Sequence, residues 1–240
     1  MHGLLLLSHG SPERSDTATT RASTTSAAVS ERSGLPVRAC HLDFTDPTPD
    51  VALRRLAADG FTSVRVLPLL FTPGYHVTHD VPGAVEASGV AGRLDVSVAP
   101  ALVADEPQAR ALLLRALDAR LDEACPIRPD ALVLASAGSG SARARAAAEG
   151  IARDLGAARG VPAVAAFASA AAPAPADALR SLRDRGARNP AVASLFVAPG
   201  RLPDSVAAAA GEVPVAAPLG TATAFVELLL HLAGDRATAR

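Results

Sequence analysis

Apolar positions in this chain gather into short unbroken runs, separated by longer stretches in which they recur at helical spacing. The runs Gly3–Ser8, Val37–Leu42, Ser63–Leu69 and Leu94–Val98 have the length and character of buried strands. Between them, Asp16–Ser33, Asp50–Asp59, Asp80–Ala87 and Asp105–Glu123 read as helices. Several open on an acidic residue suited to an N-cap, Asp50 and Asp105 among them. This β-α-β-α rhythm predicts a doubly wound parallel sheet with helices on both faces.

The rhythm then restarts. The segment 123–130, "EACPIRPD", carries two prolines and reads as a linker between a first domain, 1–122, and a second, 131–240. "ALVLASAGSGSARARAAAEGIARDL" echoes the opening "GLLLLSHGSPERSDTATTRASTTSA", and Ser8-His9-Gly10-Ser11 aligns with Ser136-Ala137-Gly138-Ser139, 128 positions on. Leu53 and Gly60 recur as Leu179 and Gly186, and Pro73-Gly74 as Pro199-Gly200, each 126 positions on. Three blocks in order at nearly one offset indicate a duplicated α/β unit. The framework is repeated but its titratable groups are not. His9 becomes Ala137, Asp43 becomes Ser169, His76 becomes Leu202 and Asp80 becomes Val206. The chemistry is therefore expected in the first half.

Composition narrows the classes. With 49% hydrophobic and 20% charged residues the chain can bury a sizeable core, and aromatics make up only 3% of the chain. A net charge of −1 and the lack of a basic stripe argue against nucleic acid. All 23 basic residues are Arg, a bias that fits GC-rich coding and is also compatible with a carboxylate-rich ligand. The two cysteines, Cys40 and Cys125, are too far apart for a sulfur metal cage. No apolar run approaches the roughly 20 residues that span a bilayer, and the N-terminal leucines lack the flanks of a secretion signal, so a soluble cytoplasmic protein is expected.

Candidate chemistry collects at strand ends. His9 follows the first strand, Asp43 the second, and His76, His79 and Asp80 the third. In a sheet of order 2-1-3-4 the first and third strands are neighbours, and ligands bind at their carboxyl ends. His9 and His76 would meet there. Two neutral imidazoles with a carboxylate or water suit Fe²⁺, Co²⁺, Ni²⁺ or Zn²⁺. Asp80 reads equally well as the cap of a helix opening at Val81-Pro82. His41 reads as packing or as support for another ligand, and His2 and His231 as incidental.

"LLLLSHGS", "HLDF…P" and above all "LPLLFTPGYHVTHDVP" resemble the class II chelatases of tetrapyrrole biosynthesis, and most closely the sirohydrochlorin chelatases that insert cobalt or iron. The second half resembles the fused, degenerate repeat of the longer members. The resemblance implies two flavodoxin-like units around a cleft, with His9 and His76 as the metal-binding pair. The family usually has Glu where this chain has Asp43, so the shorter side chain points to a supporting position there. His79 falls where the family pattern varies.

Inserting a divalent metal into a free-base tetrapyrrole displaces two pyrrole protons, and a histidine is the general base whose pKa lies near working pH. The expected roles are metal binding by His9 and His76, proton acceptance by His76, and orientation by Asp80 or Asp43, with His79 nearby. Arg14 and Arg201 are candidates for substrate carboxylates and Tyr75 for the macrocycle face. The metal is a substrate, no organic cofactor is implied, and a monomer is expected. Two rivals remain. A metal or tetrapyrrole carrier would share both histidines without turnover. A histidine phosphatase would need an Arg where Ser8 stands. "AGSGSAR", 137–143, lacks the third glycine of a dinucleotide fingerprint.

Overall fold

The computed structural model describes residues 1–10, 16–71, 81–103 and 106–234, with only the backbone described for 16–23. The chain divides into two compact units, Met1–Arg110 with Phe225–Arg240, and Ala111–Ala224.

In the first unit the elements are β1 (His2–Ser8), α1 (Asp16–Ser33), β2 (Val37–His41), α2 (Pro49–Ala58), β3 (Ser63–Pro68), α3 (Val81–Ala87) and β4 (Asp95–Val98). The strands form a parallel sheet of order β2-β1-β3-β4. Leu4 to Leu7 are all buried, as expected of a strand covered on both faces. Alternation sends Leu5 and Leu7 into one cluster with Cys40, Leu53, Leu56, Val64 and Val66.

α4 (Pro107–Ala124) leads into β5 (Ala131–Ser136), α5 (Ala142–Arg159), β6 (Ala163–Phe167), α6 (Pro175–Asp184), β7 (Pro190–Ser194), α7 (Arg201–Ala210) and α8 (Thr223–Ala233). The second sheet has the order β6-β5-β7, with a lone parallel bridge from Val192 to Val215 where the first unit has its fourth strand. Val133, Ala135, Leu179, Leu182 and Val192 repeat the first cluster, with Val133 and Ala135 in place of the larger Leu5 and Leu7.

The division by contacts falls inside α4, ahead of the 123–130 segment expected to separate the domains. Most of α4 groups with the second unit and most of α8 with the first. Within the first unit, His231 on α8 bonds Glu106 at 2.6 Å, and Glu106 caps α4 by accepting from the Gln108 and Ala109 amides at 2.9 and 2.7 Å. His231, expected to be incidental, thus ties α8 to the start of α4. Those two amides hold the Glu106 carboxyl below its ordinary pKa.

The cap expected at Asp50 is corrected. Thr48 occupies the N-cap and Pro49 the first turn, which a residue lacking a backbone N–H suits. Asp50 sits one residue further in. It accepts from the Thr48 hydroxyl at 2.5 Å and from Arg54 at 2.7 Å, and the Thr48 bond leads in lowering its pKa. Asp105 lies outside the described residues.

Candidate functional site

The site is built where β1 and β2 run out of the sheet. Ser8 pairs with His41 in the last rung. Two further backbone bonds join the strand exits, with Leu42 N–H donating to Ser8 O at 3.0 Å and Asp43 N–H to His9 O at 2.9 Å. Gly10 then turns across Asp43 at φ +94, so close that an added Cβ would lie 1.8 Å from the Asp43 carbonyl oxygen. Only glycine allows this crossing, and it fixes His9 and Asp43 side by side.

His9 Nδ1 lies 3.6 Å from Asp43 Oδ2, and both side chains are 50% exposed. The separation is beyond a direct hydrogen bond but within charge attraction. A carboxylate on this side favours the Nδ1–H tautomer, which places the imidazole's lone pair on Nε2.

Below the pair, the Ser8 hydroxyl and His41 Nδ1 share a hydrogen bond of 2.6 Å. His41 is buried, and desolvation lowers its pKa, so the imidazole is neutral at working pH. Its backbone N–H donates to Pro47 O at 3.0 Å, holding the loop that carries Asp43. Phe44, 67% exposed at φ 64, stacks beside the His9 imidazole with centroids 6.5 Å apart and planes 12° from parallel.

The second unit reproduces this scaffold without its chemistry. Ala168 N–H donates to Ser136 O, and Ser169 N–H to Ala137 O, at 2.8 and 2.9 Å. A Cβ on Gly138 would lie 1.8 Å from Ser169 O, and Ala170 takes φ 56 where Phe44 takes 64. Ala137, Ser169, Ala170 and Phe167 stand for His9, Asp43, Phe44 and His41.

Of the residues singled out by the sequence, His9 and Asp43 are brought together. Arg14, Tyr75, His76, His79 and Asp80 lie outside the described residues. Arg201, read as a loop residue, is instead the exposed first residue of α7, because Gly200 already serves as the cap and Pro203 suits the first turn. Among the described residues no group of three or more His, Cys, Asp or Glu side chains could hold a metal. Sequence reasoning missed Phe44 and the Ser8–His41 pair. The available signal was an aromatic beside the carboxylate in an aromatic-poor chain, absent from the other copy.

A family model described as CbiX matches residues 3–124 and again 131–235. No curated protein sequence matches the chain. Among solved structures, SirB from Bacillus subtilis with Fe³⁺ superposes with a TM-score of 0.76 at 20% identity, covering 99% of this chain and 96% of that one. The sirohydrochlorin chelatase SirB from Bacillus subtilis subspecies spizizenii in complex with cobalt gives 0.75 at 18%, over 98% and 95%. A CbiX structure, described as the terminal enzyme for biosynthesis of siroheme in denitrifying bacteria, gives 0.69 at 22%, over 95% and 96%. Identities this low speak to the fold; the family model, matching each repeat in turn, speaks to descent. The chain belongs to the CbiX family.

Proposed function

We propose that this chain inserts a divalent metal, Fe²⁺ or Co²⁺, into sirohydrochlorin or a close relative, for siroheme or cobalamin biosynthesis. Ni²⁺ is open to the same ligand chemistry. The observation that carries this reading is the half-exposed His9–Asp43 pair on a crossing that both repeats share but only the first arms.

The balance is simple. A hydrated M²⁺ and a ring bearing two N–H groups give the metal complex and two protons, with metal–nitrogen bonds replacing nitrogen–hydrogen bonds. His9 binds the incoming metal through Nε2, and the nearby Asp43 carboxylate favours keeping the proton on Nδ1 by charge attraction. One or two imidazole ligands leave the metal partly hydrated and exchangeable, which suits delivery. His76 is the proposed second ligand and proton acceptor, with Asp80 and His79 beside it in sequence. Tyr75, Arg14 and the exposed Arg201 are the proposed contacts for the macrocycle and its carboxylates. A histidine accepting the pyrrole proton can return it to water near neutral pH.

The test is anaerobic. Purified protein is mixed with sirohydrochlorin and one metal at a time, and the visible spectrum is followed. Acceleration over the metal-only control with iron, cobalt or nickel supports the reading. No acceleration with any of them overturns it and leaves a carrier.

A further inference from the structure

Phe44 is placed as no folding requirement explains. The chain has six Phe, one Tyr and no Trp, yet this phenyl is 67% exposed. Its backbone at φ 64 lies in the left-handed region, which disfavours bulky side chains. An exposed ring there gains little from burial and carries strain, the kind of local cost that gathers at functional sites. The turn itself does not need the phenyl, since Ala170 adopts φ 56 at the matching place in the second unit. The aromatic occurs only beside His9.

Its orientation is informative. A metal passed along an imidazole lone pair leaves in the plane of that imidazole. It must enter a tetrapyrrole along the normal to the macrocycle, so the imidazole stands edge-on to the macrocycle face. Phe44 is within 12° of parallel to His9 and stacked 6.5 Å from it. It therefore also presents its edge to that face, its centre 6.5 Å from that of the imidazole. A phenyl edge against a π face is a favoured aromatic contact.

We propose that Phe44 is a substrate-contacting residue that meets the tetrapyrrole face edge-on beside the metal-entry point and fixes the tilt of the ring over His9. The inference rests on the chelatase reading. It assigns the aromatic contact to the β2 exit loop, in addition to anything Tyr75 supplies.

The experiment titrates metal-free sirohydrochlorin into the full-length protein, following ring fluorescence, and separately titrates Co²⁺ without the ring. Phe44→Ala is expected to weaken ring binding about five- to tenfold. It should leave Co²⁺ affinity within about twofold and the melting temperature within about 2 °C. Phe44→Tyr, which keeps the edge, restores ring affinity, and Phe44→Leu, which keeps only bulk, does not. Unchanged ring affinity in Phe44→Ala, with the wild type turning over, overturns the inference alone. A change confined to Co²⁺ affinity also overturns it, since the phenyl would then be screening the His9–Asp43 pair. A wild type that neither binds the ring nor accelerates insertion overturns the chelatase reading and this inference with it.

Discussion

Replacing Gly10 by Ala puts a methyl carbon 1.8 Å from the Asp43 carbonyl oxygen, on a backbone held at φ +94. The obstructing atom belongs to the main chain and cannot swing aside. Strain at such a φ costs about 1–3 kcal/mol. Separating the two exits also breaks the Asp43 N–H to His9 O bond, worth about 1 kcal/mol. The expected loss is about 2–4 kcal/mol, or about 10 °C in melting temperature for a unit of this size. Gly138→Ala meets the same 1.8 Å obstruction in the second unit and provides the matched control. Gly140→Ala, in open space, provides the neutral one. Calorimetry with hydrogen exchange assigns each loss to its unit, and metal insertion is then timed at a temperature where all variants are folded. Both crossing variants should lose similar stability. The rate should fall by about tenfold or more only in Gly10→Ala, because that crossing positions His9 and Asp43. Wild-type stability and rate in Gly10→Ala, or equal loss of rate in both variants, would refute the reasoning.

Three further outcomes follow from the same structure. His41→Phe, which installs the ring that Phe167 supplies in the other unit, should change stability at neutral pH by no more than about 1 kcal/mol. Because His41 is held neutral in the fold, the unfolded chain binds a proton the native state does not once pH drops below about 6.5, so wild-type stability falls with pH there and the variant's should fall less in urea titrations. A thiol reagent at mildly alkaline pH should label Cys125 in the native protein, slowly because burial raises its thiol, and Cys40 only after denaturation, because it is fully buried with its thiol pushed up to about 12. Arg159→Lys should destabilise the second unit by about 1 kcal/mol in denaturant melts, since a lysine cannot span Asp118 at 2.5 Å and Asp122 at 2.6 Å as the guanidinium does.

The sheet was readable because parallel strands buried on both faces leave continuous apolar runs, and the duplication because Gly10 and Gly138 serve one crossing. The strand order sets the β1 and β2 exits side by side, where His9 and Asp43 lie, while the meeting of His9 with His76 expected from it involves a residue outside the described ones. What escaped the sequence depends on long-range packing or on small shifts in register. Which unit α4 and α8 group with is decided by contacts far apart in the chain, and His231 gained a role only through Glu106. Pro49 moved the cap of α2 back to Thr48. Phe44 escaped notice because an aromatic next to a strand end reads as core until its φ and exposure are known. His41 lies between these cases. Its slot is aromatic in both units, but only the first fills it with a ring that can share a hydrogen with Ser8.

The central claim is that the first unit's His9, braced by Asp43, handles the metal. The most direct test is the initial rate of Co²⁺ insertion into sirohydrochlorin, under anaerobic conditions, by wild type and by His9→Ala matched for fold by circular dichroism. A fall of at least about tenfold in His9→Ala is predicted, in line with the loss of a positioned ligand or base. Equal rates would contradict the account.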